Sequence, residues 1–273
     1  MTTAARRRLD VELHRRGLAD SRQQAQALIG AGRVLVSGAV ADKAARQVGP
    51  GEPVELVGPP PRFVGRGGEK LDAALDRFGI DVDGRCCLDA GSSTGGFTDA
   101  LLQRGATSVV AVDVGTHQLH ERLREDPRVE VREQTDIRAI DAAAVGGSVG
   151  LVSADLSFIS VRSVANHLVA LLEEGGDLVV LVKPQFEAGR NEASKGRGVI
   201  RDPEVWHRTL RDAVVAIEGA GTAIMDAMVS PVRGAEGNVE FLVHSRRTRS
   251  RSPLADASTV VDDVVAAAQR GLD

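Results

Sequence analysis

A chain of 273 residues with 42% hydrophobic content and a formal net charge of -4 is long enough for two domains with a substantial buried core, which excludes a disordered polymer. No apolar run approaches the roughly eighteen residues a membrane span needs, and the basic start MTTAARRRLD has no hydrophobic stretch behind it, so a cytoplasmic protein without membrane contact is expected. The charge is uneven: residues 1–66 carry 11 Lys and Arg against 6 Asp and Glu, a net of +5, and the remainder carries 23 against 32, or -9. A basic head on an acidic body points to polyanion binding by the head.

In chain order, Leu9, Leu13 and Gly17 with Arg6, Arg7, Arg8, Arg15 and Arg16 predict an amphipathic helix, apolar on one side and basic on the other. Ser21 followed by Gln24 is a capping box, and Ala25, Leu28 and Ile29 give the next short helix one apolar face before Gly30 and Gly32 end it. Two short strands follow, Val34–Val36 and Val54–Val57, separated by Ser37-Gly38 and Pro50-Gly51 turns. The proline-rich stretch GPPPRFVGRGGEK, residues 58–70, reads as a stiff spacer with its linker at 61–66, and Phe63 is expected to pack between domains.

The body, 67–248, alternates strand and helix. Strands are predicted at Cys86–Leu88, Val109–Val112, Val129–Val131, Gly150–Ser153, Leu178–Val182 and Val239–Val243, with helices at Phe97–Arg104, 162–173 and 203–219. This is the pattern of an α/β fold with a doubly wound, mostly parallel sheet behind a small α+β head. Ligands of such sheets lie beyond the carboxyl ends of the strands. A tail at 249–273 ends in STVVDDVVAAAQRGL, whose apolar pairs at helical spacing predict a terminal helix, and the basic segment at 244–253 reads as solvated. The adjacent Cys86 and Cys87 make no disulfide framework and have no partners at metal-ligand spacing, so both are read as buried structural residues and no metal is expected.

The strand ends carry the chemistry. In LDAGSSTGGFTDALL, Asp89 closes the first strand, Gly91 and Gly95-Gly96 allow close backbone approach, and Phe97 opens a helix. Ser93 breaks the dehydrogenase pattern G-x-G-x-x-G. Asp113 stands at the end of the next strand, Asp136 after the third, Asp155 after the fourth and Lys183 after the fifth, in LVKPQF. Lys70 precedes the sheet, and Glu240 lies in the late strand. Residues 187–203 hold Arg190, Lys195, Arg197 and Arg201 among glycines, which predicts a basic loop that closes over the substrate, implied to be RNA by the resemblances that follow.

Three resemblances gather these residues. Arg8-Leu9-Asp10, Ser21-Arg22-Gln23-Gln24-Ala25 and Gly32-Arg33-Val34-Leu35-Val36-Ser37-Gly38 are similar to the RNA-binding module named after small-subunit ribosomal protein S-four. That resemblance implies that Arg8, Arg22, Arg33 and Lys43 contact RNA phosphates, with Arg62 of the linker added to the set. The loop from Asp89 resembles the first motif of S-adenosylmethionine-dependent methyltransferases. It implies a cofactor site of Asp89, Gly91, Ser93, Gly95, Phe97, Asp113, Asp136 and Asp155, with Asp113 accepting the ribose hydroxyls, Asp136 binding the adenine amino group, and S-adenosylhomocysteine as product. Lys70, Asp155, Lys183 and Glu240 resemble the Lys-Asp-Lys-Glu set of the FtsJ/RrmJ ribose 2'-O-methyltransferases. With the head attached, the chain resembles throughout the TlyA family, which methylates cytidine 2'-hydroxyls in ribosomal RNA and was once labelled haemolysin.

The chemistry is consistent with that set. A ribose hydroxyl is a weak nucleophile and the sulfonium methyl is already electrophilic, so the enzyme must align oxygen, methyl and sulfur and take the hydroxyl proton. Lys183 is the expected activating group, with Asp155 near the transferred methyl and Lys70 and Glu240 positioning the ribose. Carbon-five methylation of pyrimidines needs a thiolate after the fourth or fifth strand, where no cysteine lies. Amine methylation is the enzymatic alternative, since Asp155-Leu156-Ser157-Phe158 keeps the ends of an Asp-Pro-Pro-aromatic turn without its prolines. A ribosome-binding or assembly factor and a haemolysin-like protein are the alternatives without catalysis. The expected partner is ribosomal RNA within ribosomal subunits, met by a monomer.

Overall fold

The computed structural model describes residues 6–19, 22–59, 61–189, 192, 198–234, 237–248 and 256–271. Ser21 of the expected capping box, Arg190, Lys195 and Arg197 of the basic loop, and 249–255 of the tail lie outside the described residues. The chain divides into two compact units, Met1–Arg62 and Phe63–Asp273.

The first unit has strand β1 (Arg7–Arg8), helices α1 (Leu9–Arg15) and α2 (Arg22–Gly30), and strands β2 (Val34–Val36), β3 (Ala39–Val40), β4 (Gln47–Val48) and β5 (Val54–Leu56). Strand β2 is the centre of an antiparallel sheet ordered β3-β2-β5, and β1 pairs with β4. Leu9, Leu13, Ala25, Leu28, Ile29, Val34 and Val36 close into one core, which is the apolar face expected of the two helices. Gly17, at φ +69, stands just past α1, where a left-handed residue lets the chain turn back.

The second unit is a seven-stranded sheet ordered β11-β12-β10-β9-β6-β7-β8. Its strands are β6 (Cys86–Ala90), β7 (Ser108–Val112), β8 (Val129–Arg132), β9 (Val149–Ala154), β10 (Leu172–Val182), β11 (Thr222–Val229) and β12 (Phe241–Arg247). Strands β6 to β10 are mutually parallel, and β12 runs antiparallel to both β10 and β11. The helices are α3 (Gly67–Phe78), α4 (Gly96–Gln103), α5 (Glu121–Arg124), α6 (Ala165–Ala170), α7 (Pro184–Glu187), α8 (Pro203–Gly219) and α9 (Ala257–Arg270). Alternate strand residues feed two cores, one on each face. Leu88, Val110, Val152, Val180 and Val243 pack with α6, α8 and α9; Cys87, Val109, Leu151, Val179 and Leu242 pack with α3, α4 and Leu123 of α5. Among the described residues no helix is long and apolar enough to cross a membrane.

Three expectations change. Phe63 is buried in the second unit's own core, its ring filling the space a side chain at Gly68 would need, so the expected linker stretch 61–66 already belongs in part to that unit. Helix α9 is the terminal helix expected in the tail, and it buries Val261, Val264, Val265 and Ala268 against α8 and β11. The segment 162–173 is a short 3-10 turn, then α6, with β10 already starting at Leu172. Cys86 is exposed and only Cys87 is buried, where desolvation pushes its thiol up to about 12. Both sit at the amino end of β6, away from the edge where the parallel strands terminate.

Candidate active site

Two lysine–carboxylate pairs form at the carboxyl edge of the sheet. Ala154, the last residue of β9, pairs with Val180 of β10, so the residues following these neighbouring strands emerge side by side. Lys183 Nζ lies 2.5 Å from Asp155 Oδ1 and donates to Ser157 Oγ at 3.0 Å. Pro184 at the first position of α7 ends the strand at once and turns the chain, with the Phe186 and Glu187 amides donating to the Lys183 carbonyl.

The second pair is Lys70 with Glu240, Nζ to Oε2 at 2.5 Å, both side chains at most 10% exposed. Lys70 comes from α3, whose Leu71, Ala74 and Leu75 bury one face. Glu240 immediately precedes β12 rather than lying within it. Because β12 is antiparallel, its entrance is at the edge where the parallel strands exit, which is how a late residue reaches the same place. Gln185 Nε2 lies 3.4 Å from the other oxygen of Glu240, so α7 touches both pairs. Gly234 gives Glu240 its room: a Cβ there would stand 2.1 Å from Glu240 Oε1.

The loop after β6 is built for close approach. Gly91 has φ +85, and a Cβ on it would fall 2.5 Å from the backbone carbonyl of Asp155. Gly95, at φ +97, leads into α4. Ser93 is exposed, with a positive φ of 47, and its amide donates to Asp113 Oδ2 at 2.8 Å. Gly115 N donates to Asp113 Oδ1 at 2.7 Å, so each carboxylate oxygen holds a loop while keeping further lone pairs. Asp89 is fully buried, accepts from Thr98 Oγ1 at 2.7 Å, and is pushed up to about 7, chiefly by desolvation, with the charge of Asp155 adding to it. Phe97 lies in the core with its ring against Gly67, not on the loop surface. Asp136 caps the 3-10 turn Ile137–Ala139 through the Arg138 amide and pairs with the Arg138 guanidinium, which holds it down to about 2.

Beside the pairs, Phe186 and Glu187 have no signal in the sequence patterns, and Phe158 is marked there only as the aromatic end of the turn from Asp155. Phe158 is 91% exposed at φ +64, and its ring lies 5.0 Å from that of Phe186. Lys183 Nζ sits 5.6 Å from the Phe186 ring centroid. Glu187 is buried and accepts from Ser160 Oγ and Val161 N at 2.5 and 2.7 Å, clamping the loop after Asp155 to the turn after Lys183; burial raises its carboxyl above the usual range.

In the head, the arginines are organised by two buried acids. Asp10 accepts from Arg8, Arg22 and Gln26, and Glu12 from Arg15 and Arg16. These partners hold both carboxyls below the usual carboxylate range, Glu12 at about 2. Arg8 and Arg22 keep 43% and 57% of their side chains exposed. Lys43 and Arg62 are exposed, and Arg33 donates to the Val57 and Pro59 carbonyls.

A family model described as FtsJ-like methyltransferase matches residues 63–247, and one described as the S4 domain matches 7–54. The chain is 47% identical over 250 residues to the 16S/23S rRNA (cytidine-2'-O)-methyltransferase TlyA of Mycobacterium tuberculosis, covering 91% of this chain and 93% of that one. It is 40% identical over 238 residues to Hemolysin A of Brachyspira hyodysenteriae, covering 87% and 98%. A solved structure of a candidate hemolysin from Streptococcus thermophilus superposes with a TM-score of 0.79 at 38% identity, covering 98% and 97%.

Proposed function

We propose that this chain, which belongs to the FtsJ-like methyltransferase family and carries an S4 domain ahead of that fold, transfers a methyl group from S-adenosylmethionine to the 2'-hydroxyl of a cytidine in ribosomal RNA. The observation that carries the reading is two lysine–carboxylate pairs, the partly exposed Lys183–Asp155 and the buried Lys70–Glu240, at one edge of the sheet beside a glycine-lined loop.

S-adenosylmethionine supplies an electrophilic methyl whose sulfur leaves with the bonding electron pair. Gly91 and Gly95 let the loop pack closely against the Asp155 carbonyl and against Leu119 and Leu123, Ser93 lines the loop, and Asp113 keeps acceptor sites for ribose hydroxyls. Asp136 is assigned the adenine amino group, a role it would share with its cap and its pairing to Arg138. Lys183, after releasing the proton it holds in its ion pair with Asp155, takes the hydroxyl proton on its ε-amino group as the oxygen–carbon bond forms, and the pair with Asp155 is restored. Lys70, held by Glu240, donates to the ribose and fixes the line of attack. Arg8, Arg22, Arg33, Lys43 and Arg62 hold RNA phosphates, a sequence-independent contribution that brings the substrate to the enzyme.

Phe158 keeps a second reading in view. An exposed aromatic ring four places into Asp155-Leu156-Ser157-Phe158 is also what an amine methyltransferase needs to hold a base. Methyl transfer from labelled S-adenosylmethionine to purified unmethylated ribosomal subunits, mapped by mass spectrometry and alkali resistance of the 3' linkage, separates the two. Alkali-resistant label on a cytidine is expected, and label on a base amine overturns the 2'-O assignment.

A further inference from the structure

Gln185 has a fixed and half-used amide. Its Nε2 points to Glu240 Oε1 at 3.4 Å, while its carbonyl Oε1 is buried and has no hydrogen-bond partner among the described residues. A buried acceptor left unpaired is costly and is retained where a ligand supplies the donor. The orientation is not free. Glu240, when ionised, only accepts hydrogen bonds, and its other oxygen is engaged by Lys70 at 2.5 Å, so turning the amide over would set a carbonyl oxygen against a carboxylate.

The neighbours indicate what the donor belongs to. Phe186 is the next residue, and with Phe158 it forms an aromatic pair, at 5.0 Å between ring centroids, on the turn that carries Lys183 and Gln185. A nucleobase stacked on such a surface would lie beside residue 185, which adjoins Phe186 in the turn. Cytosine offers an amino group there, where uracil offers a carbonyl. An amide locked with its oxygen turned away from Glu240 accepts from the first and repels the second.

We propose that the Gln185 carbonyl accepts a hydrogen bond from the exocyclic amine of the target base and so selects cytidine over uridine, with Glu240 as the residue that locks the amide in register. This rests on the RNA methyltransferase reading above, but not on which atom of the nucleotide is methylated.

The test compares unmethylated ribosomal subunits carrying the mapped cytidine with subunits in which that position is uridine, using wild type and Gln185→Met. Methionine keeps the length of the side chain and removes its acceptor. Expected is a loss of about ten- to a hundredfold in kcat/KM on cytidine, a rate on uridine that is unchanged or higher as the repulsion is removed, and a collapse of the ratio between them, with cofactor affinity unchanged. Equal losses on both substrates, or none on either, overturn the proposal. If Gln185→Met does not melt like wild type, the wild-type enzyme carries the test on subunits whose target base is a pyrimidin-2-one lacking the 4-amino group: a loss of about ten- to a hundredfold is expected, and a rate equal to that on cytidine overturns the proposal. The atom that receives the label reports separately on the reading of the reaction, since the cytidine-to-uridine ratio is defined for either acceptor.

Discussion

Lys183 Nζ and Asp155 Oδ1 lie 2.5 Å apart, contributed by residues that follow neighbouring parallel strands, with Ser157 as a further acceptor for the lysine. The pair is buried enough to be fixed and open enough to meet a substrate, with side-chain exposures of 10% and 22%.

Lys183→Ala and Lys183→Arg are therefore expected to lose at least about a hundredfold in kcat, because arginine keeps a charge but cannot take a proton. Cofactor affinity by calorimetry should stay within about twofold of wild type. A Lys183→Arg enzyme with near-normal kcat would assign proton removal to another group.

Gly234→Ala should reproduce the loss of Glu240 without touching it. The new Cβ would lie 2.1 Å from Glu240 Oε1, so the carboxylate must leave Lys70 and Gln185 while the backbone stays acceptable for alanine. A methyl-transfer rate near that of Glu240→Ala, with a melting temperature near wild type, is the expected outcome; an active Gly234→Ala enzyme would show that Glu240 tolerates displacement.

The burial of Asp89 sets a pH dependence of stability. Its carboxyl sits at about 7 in the folded chain and at its ordinary 3.8 when unfolded, so the folded state holds the proton more tightly. The stabilisation is complete below the unfolded value and is lost as pH rises from about 4 to about 7, up to about 4 kcal/mol in total. Denaturant unfolding across that window should show the fall, and Asp89→Asn should flatten it.

The head behaves oppositely in acid. Asp10 and Glu12 are held low by Arg8 and Arg15, so their stabilisation is present above the ordinary carboxylate range and disappears as pH drops through their lowered values, about 2 for Glu12. Asp10→Asn should leave the head folded while freeing Arg8 and Arg22. RNA titrations at several salt concentrations should show weaker binding for Asp10→Asn, and Arg8→Ala should reduce the slope of log affinity against log salt by about 0.7 to 0.9.

Strand ends were legible because β-branched runs such as Val179–Val182 stop abruptly at a polar residue, and five parallel strands put those residues on one edge. Strand β11 was not legible: Asp226 interrupts Thr222–Val229 at a register shift between Ile224 and Asp226, which breaks the alternation a half-buried strand should show. Helix α3 was hidden by its Gly67-Gly68 start, although Leu71, Ala74, Leu75 and Phe78 are spaced for one face. Phe158, Gln185 and Glu187 belong to short turns whose roles arise from contacts between loops, and no periodicity encodes those.

The Lys70–Glu240 pair joins positions 170 residues apart. A growing chain would therefore carry its S4 domain and its glycine-lined loop long before it could complete the second lysine–carboxylate pair. Termination after Leu56 and before Glu240 would leave a species with the whole S4 domain and without the second lysine–carboxylate pair.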